Sequence, residues 1–383
     1  MALLPVLSLA VACAHASMAA PAFTVPYPAD TIVLPGDGYL YEARQIAPRV
    51  YTLQSPEPFH YQPLGNVTAI EQKDGFVLVD AGGSRPSAER IIALLRRINP
   101  AKAVTAIVIT HWHGDHVLGL KRLLSEWPEA RTLSTAATRQ ALLSEATRSY
   151  VPTTDAVATE HMLAGMRRGG DHFASRGADA TLPGEVRNGY TRAARVMHQH
   201  AHDMATGSTR LATSETFTDR LRIADRETPV EIRFLGRANT DGDAVIWLPR
   251  QRILITGDIV VAPMPYGFSS YPRDWLEVLQ RLQEFDFEWL VPGHGRPMRD
   301  TRYIDQLSAL ITDVRVQVGP LAARGLPIEQ VREQLDFSSQ RETFAGADRW
   351  RRLIFDYYWV APIVQSAWLE ARGEPILQGD HPE

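Results

Sequence analysis

"ITHWHGDHVLGL" (Ile109–Leu120) places three histidines and one aspartate within six residues. The stretch begins at the end of "AVTAIVIT" (103–110), an apolar, β-branched run that is typical of a buried strand. His111 and His113 alternate, so an extended or tightly turned backbone would carry both to the same side. Asp115 and His116 follow where the chain bends into a helix. Two pairs facing two adjacent points would suit a dinuclear cluster, because zinc binds imidazole nitrogen and carboxylate oxygen.

The alternative is that these side chains are ordinary polar loop residues satisfied by hydrogen bonds. The chain has twelve histidines in 383 residues, and three of them stand in this one turn. Such a density at the end of a buried strand favours metal binding over a plain loop.

The flanking pattern alternates strands and helices. Short β runs and a hairpin turn lead to the helical period of "SAERIIALLRRI" and then to the strand before the motif. A mostly helical and polar insert occupies about 121–228. Three β runs follow ("PVEIRFLG", "DAVIWLP", "RILITGDIVV"), then a helix from Asp274 and a last strand in "FEWLVPGHG". This order predicts an α/β protein with two sheets and helices outside.

The sequence resembles the metallo-β-lactamase superfamily of metallohydrolases, whose signature HxHxDH is matched in full by residues 111–116. The likeness extends over residues 50–296 and includes "VDAGG", "LITGDIV" and "VPGHG". It implies an αββα two-sheet sandwich of class α/β (α+β). The sandwich would occupy 20–299, with the helical insert inside it and a C-terminal helical extension at 300–383 packed on it.

The resemblance also implies a ligand set, with His111 and His113 on a first zinc, Asp115, His116 and His294 on a second, and Asp258 bridging the two. Asp80 of "VDAGG" matches the family's structural aspartate, which supports the ligands without binding metal. One or two zinc ions per chain are therefore expected.

One position departs from the family pattern. The remaining histidine of the first site usually precedes a Thr and a Gly-Asp pair, and in "GRANTDGD" Asn239 stands in that place. An amide oxygen is a weak, neutral zinc ligand, so the first site should be loosened. Asp241 could substitute as a ligand, although a turn-stabilising role is favoured. Three outcomes stay open: a dinuclear enzyme with a weak first metal, a mononuclear enzyme, or a zinc protein with little catalysis.

Two other segments attract attention. In "MHQHAHD", a helix would put His198 and His202 on one face and turn His200 away, which predicts an exposed insert helix that could still line the pocket mouth. The segment "PMPYGFSSYP" (263–272) carries three aromatic residues. They would form either an apolar lip over the metals or core packing under the following helix.

The resemblance implies a zinc-dependent hydrolase in which a metal-bound hydroxide, held near the catalytic Asp115, attacks the scissile bond. The bond would be an ester, lactone, thioester or amide of a small-molecule substrate, with β-lactams among the amides. "TGD" together with "PGHG" is more like the glyoxalase II and lactonase side of the superfamily. The alternative is a non-catalytic or mononuclear zinc-binding protein of the same fold.

Composition and the N-terminal segment indicate the partners and the location of the protein. The net charge is −4 and no basic run stands out, so no nucleic-acid partner is expected. Residues 2–14 are uncharged and largely apolar and precede small residues, which predicts a signal peptide at 1–19, a periplasmic or secreted protein, and no transmembrane segment in the mature chain. Cys13, the only cysteine, lies inside that segment. The sequence leaves the oligomeric state open.

Overall fold

The computed structural model of this chain describes residues 33–34, 40–55, 64–144 and 155–378. The predicted signal peptide and Cys13 lie outside these residues, so export stays a prediction. Among the helices of the described ranges, none combines the length and the apolarity that crossing a membrane requires.

The described strands are β1 (Val33–Leu34), β2 (Glu42–Ala47), β3 (Val50–Gln54), β4 (Val67–Glu71), β5 (Phe76–Val79), β6 (Val104–Val108), β7 (Arg131–Thr135), β8 (Glu215–Phe217), β9 (Arg220–Ile223), β10 (Val230–Phe234), β11 (Ala244–Leu248), β12 (Ile253–Ile255) and β13 (Trp289–Val291). The described α-helices are α1 (Arg85–Ile98), α2 (Gly114–Val117), α3 (Leu120–Glu126), α4 (Ala136–Leu143), α5 (Ala156–Ala178), α6 (Gly184–Ala205), α7 (Pro272–Leu282), α8 (Arg302–Ala323), α9 (Ile328–Arg332), α10 (Ser338–Ala345), α11 (Arg349–Phe355) and α12 (Ala361–Arg372). A 3₁₀ turn at Gly257–Ile259 and a π-helical turn at Asp356–Val360 complete the elements used below.

The described strands form two sheets. The first has the order β1 to β8, antiparallel from β1 to β5 and parallel from β5 to β8. The second has the order β13-β12-β11-β10-β9, in which the β12–β13 pair is parallel. Helices cover the outer face of each sheet, so the predicted α/β class with an αββα arrangement is confirmed.

Three apolar clusters correspond to these layers. Branched side chains such as Val79 and Val108 of the first sheet meet Ile232 and Ile246 of the second in a core between the sheets. A second cluster joins the first sheet to α1 and α3, and a third joins the second sheet to α7, α8 and α12. All four residues of β5 are buried, as expected for a strand that is covered on both faces.

Helix α1 begins two residues earlier than the pattern predicts, because a capping box fixes its start. The Ser84 hydroxyl accepts a hydrogen bond from the Ser87 amide at 3.2 Å, and the Ser87 hydroxyl accepts one from the Ser84 amide at 2.9 Å. Two otherwise unpaired backbone donors are thereby satisfied. Just before the cap, the "AGG" turn that follows β5 contacts the metal-binding segment, since the Ala81 amide donates to the His116 carbonyl at 2.8 Å.

The predicted helical insert contains strands as well as helices. It contains the antiparallel hairpin α5–α6, but β7 and β8 within it extend the first sheet and β9 forms the edge of the second. These strands are short and carry polar residues, so their alternation is too brief to stand out in the sequence. Residues 145–154 lie outside the described part.

Helix α6 packs closely on the C-terminal helices at Gly189. A methyl group there would overlap the indole of Trp350, which is itself buried in α11. We expect Gly189→Ala to lower the free energy of unfolding by about 1–3 kcal/mol, since overpacking outweighs the gain in helix propensity. Urea unfolding of the variant and the wild type would measure this difference in the free energy of unfolding. Gly165→Ala in α5 is the matched control, because the nearest atom to its new methyl is 3.8 Å away; equal stability of the two variants would contradict this packing.

Candidate metal centre

The predicted ligands meet where strands from both sheets end. The motif follows β6, the 3₁₀ turn carrying Asp258 follows β12, and His294 follows β13. Asp80 follows β5 in a left-handed conformation with φ of 65°. Because these strand ends lie at one edge of the sandwich, segments more than 200 residues apart along the chain converge on one point.

Asp115, His116 and His294 form a compact second site. Asp115 Oδ2 lies 3.0 Å from Nε2 of His294 and 3.4 Å from Nε2 of His116. The two imidazole nitrogens are 3.3 Å apart. The structure therefore brings these three predicted ligands together with their metal-binding atoms facing one another.

The first site is looser. His111 Nε2 lies 3.6 Å from Oδ2 of Asp258 and 3.0 Å from Nδ1 of His113. Asp258 Oδ1 lies 3.3 Å from Nε2 of His116, so its two oxygens face different histidines. This is the arrangement expected of a carboxylate that bridges two metals.

The spacing of these atoms fits zinc. Nitrogen ligands about 2.0–2.1 Å from a tetrahedral zinc lie about 3.3 Å from one another. The ligand atoms of His111, His116 and Asp258, and those of Asp115, His116 and His294, lie within 4.8 Å of one another in each set. The residues present can therefore hold a divalent cation.

The charges of the cluster also favour the binding of a cation. Burial raises the pKa of the Asp258 carboxyl, but the neighbouring imidazoles of His294, His116 and His111 outweigh it and hold that pKa well below its usual range. Burial lowers the pKa of His294, whereas the carboxylates of Asp258 and Asp115 raise it to about 9. Carboxylates that hold protons on neighbouring imidazoles would hold a metal ion in their place.

Asp80 and Thr110 orient the histidines. Asp80 Oδ2 lies 2.8 Å from Nδ1 of His116, and Asp80 Oδ1 accepts a hydrogen bond from the Thr110 amide at 2.8 Å. The Thr110 hydroxyl bonds to Asp80 and lies 3.0 Å from Nδ1 of His111. With both Nδ1 atoms occupied, Nε2 of each histidine faces the cluster, as in zinc sites generally. Thr110 was missed by the sequence analysis, which considered only ligand-type residues.

Asn239 lies in the core, fully buried. Its amide nitrogen donates to the Tyr266 carbonyl at 2.8 Å, whereas its Oδ1 has no hydrogen-bond partner in the described part of the chain. Asp243, in the turn after Asn239, is buried, and burial raises its pKa to about 7 although the charge of His111 opposes this rise. Burial also raises the pKa of Asp241, and the charge of Arg237 is among the effects that oppose it.

We expect Asn239→His to tighten the first site, because imidazole binds zinc more strongly than a neutral amide does. A zinc titration followed by mass spectrometry should show that the more weakly bound of the two zinc ions binds at least about tenfold more tightly in the variant than in the wild type. Gln251→His, at a position outside the site, controls for the added histidine. Unchanged stoichiometry and affinity would mean that Asn239 does not face the cluster.

The aromatic segment after Asp258 contacts both the metal centre and the C-terminal helices, whereas one of the two alternatives expected core packing under the helix that follows it. Tyr266 stacks edge-on against His294 with ring centroids 5.0 Å apart, and on its other side it meets Tyr358 of the π-helical turn at 4.7 Å. Phe268 also packs on Tyr358. Tyr266 therefore lines the metal centre, whereas Phe268 packs against the C-terminal helices.

The C-terminal segment reaches the motif itself. The indole nitrogen of Trp112, between the first two histidines, donates to Gln378 Oε1 at 2.8 Å. The Gln378 amide donates in turn to the Ser269 carbonyl at 3.0 Å. No pattern in the sequence pairs Trp112 with Gln378, because 265 residues separate them.

The prediction that the histidines of α6 are exposed is wrong for His200. Ten residues of α6 are buried, and His200 is among them with 6% exposure. His202 is exposed, and His198 lies 3.3 Å from the exposed Asp171. The stripe formed by Val186, Ala193 and Met197 at helical spacing includes His200 and was the signal that could have placed it inside.

Comparisons with known proteins agree with this geometry. A family model described as the metallo-beta-lactamase superfamily matches residues 61–294, more than half of the chain. A linear primary-alkylsulfatase of Pseudomonas sp. (strain ATCC 19151) is 25% identical over 260 residues, which are 64% of this chain and 44% of that protein. An atrochrysone carboxyl ACP thioesterase of Claviceps purpurea (strain 20.1) is 32% identical over 91 residues, covering 23% of this chain and 29% of that protein.

Among solved structures, a stereoselective inverting sec-alkylsulfatase from Pseudomonas sp. matches with a TM-score of 0.58 and 15% identity, covering 86% of this chain and 50% of that one. This likeness concerns the fold. The chain spans about half the length, or less, of the alkylsulfatases it matches.

Proposed function

Because this chain belongs to the metallo-beta-lactamase superfamily of hydrolases, we propose that it is a zinc-dependent hydrolase of ester-type bonds, with alkyl sulfate esters as the first substrate class. The observation that carries the proposal is the convergence of Asp115, His116 and His294 with Asp258 in one buried cluster. Lactones, thioesters and amides remain in the wider class that the ligand set supports.

Zinc bound at this cluster would act as a Lewis acid and lower the pKa of water from about 15.7 toward 7. His116 and His294 supply neutral nitrogen ligands once their protons are displaced. Asp115 is the most open of the second-site ligands, since 26% of its side chain is exposed. It is therefore the group that accepts a hydrogen bond from a water approaching the scissile bond, and it orients that water.

An apolar wall beside the ligands supports a substrate with an alkyl or acyl chain. Tyr266, next to His294, is continuous with Phe268 and Tyr358. Burial raises the pKa of Tyr266 well above its usual value, and the charges of Asp258 and Asp115 raise it further, so the phenol stays neutral. Such a wall excludes water from one side of the site and favours an apolar chain over a charged one.

A sulfate ester is the first candidate because the match to the alkylsulfatase covers more of this chain than the match to the thioesterase does. A thioester is the second candidate, supported by the shorter match to an acyl carrier protein thioesterase. Both would present an apolar chain attached to a group that is rich in oxygen or sulfur acceptors.

The test is a substrate panel on the zinc-loaded protein: decyl sulfate, decanoyl thioester, a decanoic lactone, p-nitrophenyl decanoate and nitrocefin. Zinc content is measured in parallel, and a chelator-treated sample is the control. We expect turnover of at least one ester-type substrate that disappears on chelation and returns with zinc. Tight zinc binding without turnover of any of the five would leave the non-catalytic zinc protein as the correct alternative.

A further inference from the structure

His294 is held differently from the two fully buried histidines of the HxHxDH motif. Nδ1 of His116 lies 2.8 Å from Asp80, and Nδ1 of His111 lies 3.0 Å from the Thr110 hydroxyl. Nδ1 of His294 has no hydrogen-bond partner among the described residues. A zinc-binding histidine ordinarily has such a partner, which fixes the direction of its ring. The direction of the His294 ring must therefore depend on its backbone and on the rings packed against it.

Asn66 fixes the backbone on both sides of His294. The Asn66 side-chain amide donates to the Pro292 carbonyl at 2.9 Å and to the Gly295 carbonyl at 2.8 Å. Its backbone amide donates to the Gly293 carbonyl at 2.7 Å. Three of the four carbonyls in the "PGHG" loop after β13 are thus paired with a single residue, which is itself buried with 6% exposure. Buried carbonyls of an irregular loop need such partners, because no strand or helix supplies them.

The other side of the "PGHG" loop is bound to the segment that carries Asp258. The Gly293 amide donates to the Gly257 carbonyl at 2.8 Å, and the fourth carbonyl of the loop, that of His294, accepts a hydrogen bond from the Ala262 amide at 3.2 Å. The loop therefore lies between two sets of hydrogen bonds. Loss of either set would allow the loop to move toward the other.

The residue before Asn66 contacts the other histidine of the second site. Gly65 lies so close to the His116 ring that a methyl group there would be 2.4 Å from Cε1. The Gly65 carbonyl accepts a hydrogen bond from the Tyr41 hydroxyl at 2.8 Å. Two successive residues thus contact the ring of His116 and the loop of His294, whose Nε2 atoms are 3.3 Å apart. The position of this short segment sets the separation of the two ligands.

We propose that Asn66 is a positioning residue of the second metal site, which directs Nε2 of His294 toward the zinc by fixing the backbone on both sides of that histidine. The inference concerns metal binding, and it rests on the proposed function only for its effect on turnover. An amide suits this role because its NH₂ group carries two donors, one for each carbonyl, and no charge. Asn66 thereby takes the place of the Nδ1 partner that His294 lacks among the described residues.

The experiment compares Asn66→Ala with Gln72→Ala. The two amides flank β4, each is 6% exposed, and the Gln72 amide donates to the Thr228 carbonyl at 2.7 Å, so the control also removes a buried hydrogen bond to the backbone. We expect Asn66→Ala to bind the more tightly held zinc about 10–100-fold more weakly, as for other groups that orient a metal ligand. The visible absorption of the cobalt-substituted protein should also change. Gln72→Ala should lose stability but keep wild-type zinc affinity and the wild-type cobalt spectrum.

Asn66→Ser is the milder variant, because its hydroxyl can donate to one carbonyl at most. It should fall between Asn66→Ala and the wild type, and it decides the question on the same terms if Asn66→Ala does not fold. Competition with a chromogenic chelator gives the zinc dissociation constants, and urea unfolding in the presence of a chelator reports on the metal-free fold.

Weaker zinc binding in the Asn66 variants, with wild-type affinity in Gln72→Ala, supports the inference. Wild-type zinc affinity and cobalt spectrum in a folded Asn66 variant, or an equal loss of affinity in Gln72→Ala, overturn the inference and leave the proposed function intact. A wild-type protein that binds zinc but hydrolyses no substrate overturns the proposed function alone, because zinc affinity is measured without substrate.

Discussion

Asp258→Asn is expected to lower kcat/KM by more than about 100-fold and to leave the protein with less than its full zinc content. Residues that only support a metal ligand change affinity or activity by about 10–100-fold, so loss of the bridging carboxylate should exceed that range. Asp258 faces His111 through one oxygen and His116 through the other. Asparagine keeps the shape but removes the negative charge that offsets two cations. Metal analysis and steady-state kinetics of the purified variant measure both effects.

Asp286→Asn is the control for this change, because 88% of the Asp286 side chain is exposed and its carboxylate pairs with Arg252 at the surface. It should retain wild-type zinc content and turnover. Full activity and full metal content in Asp258→Asn would show that Asp258 does not bridge the metals, and the assignment of the cluster would then be wrong.

Asp80→Asn is expected to weaken zinc binding at the second site by about 10–100-fold. Three donors converge on the two Asp80 oxygens: the Thr110 amide, the Thr110 hydroxyl and Nδ1 of His116. In asparagine an NH₂ group replaces one of these oxygens, and it would face the N–H or O–H donor that the oxygen had bound. Either Thr110 or the His116 ring therefore loses its hydrogen bond. His116 then loses the partner that directs its Nε2 at the metal. Competition with a chromogenic chelator gives the zinc dissociation constant.

Unfolding in the presence of a chelator separates this effect from a general loss of stability. An unpaired donor of this kind costs about 1–3 kcal/mol in the metal-free protein. The weakening of zinc binding is measured on protein that is still folded, so the two effects appear independently. An unchanged zinc affinity in Asp80→Asn would mean that Asp80 supports only the backbone of the motif.

Several features could be predicted from the sequence because their cause is local. The alternation of His111 and His113 and the placement of Asp115 and His116 at a helix start depend on backbone geometry over six residues. Asp80, Asp258 and His294 were identified through the family resemblance, and the structure shows that each follows a short apolar strand. The two-sheet class followed from the same alternation of strands and helices.

Other features depended on packing between distant segments. The sequence identified Asn239 as unusual, but only the structure shows its amide nitrogen bound to Tyr266 and its oxygen left without a partner. Likewise, only the structure shows that the Asp243 carboxylate is buried and accepts a hydrogen bond from the Thr240 amide at 2.7 Å, whereas Asp241 is partly exposed. A turn of four residues allows either outcome until the surrounding core fixes it.

The sequence by itself thus determined the ligand types and the strands that carry them, because spacing along a strand or helix sets which side chains share a face. Only the tertiary structure decided that Tyr266 lies against His294 and that Tyr358 of the C-terminal helices packs on the other side of Tyr266. Tyr266 and Tyr358 are more than 90 residues apart along the chain. Such contacts arise from how whole layers pack, and no local pattern encodes which buried stripe covers which edge of the sandwich.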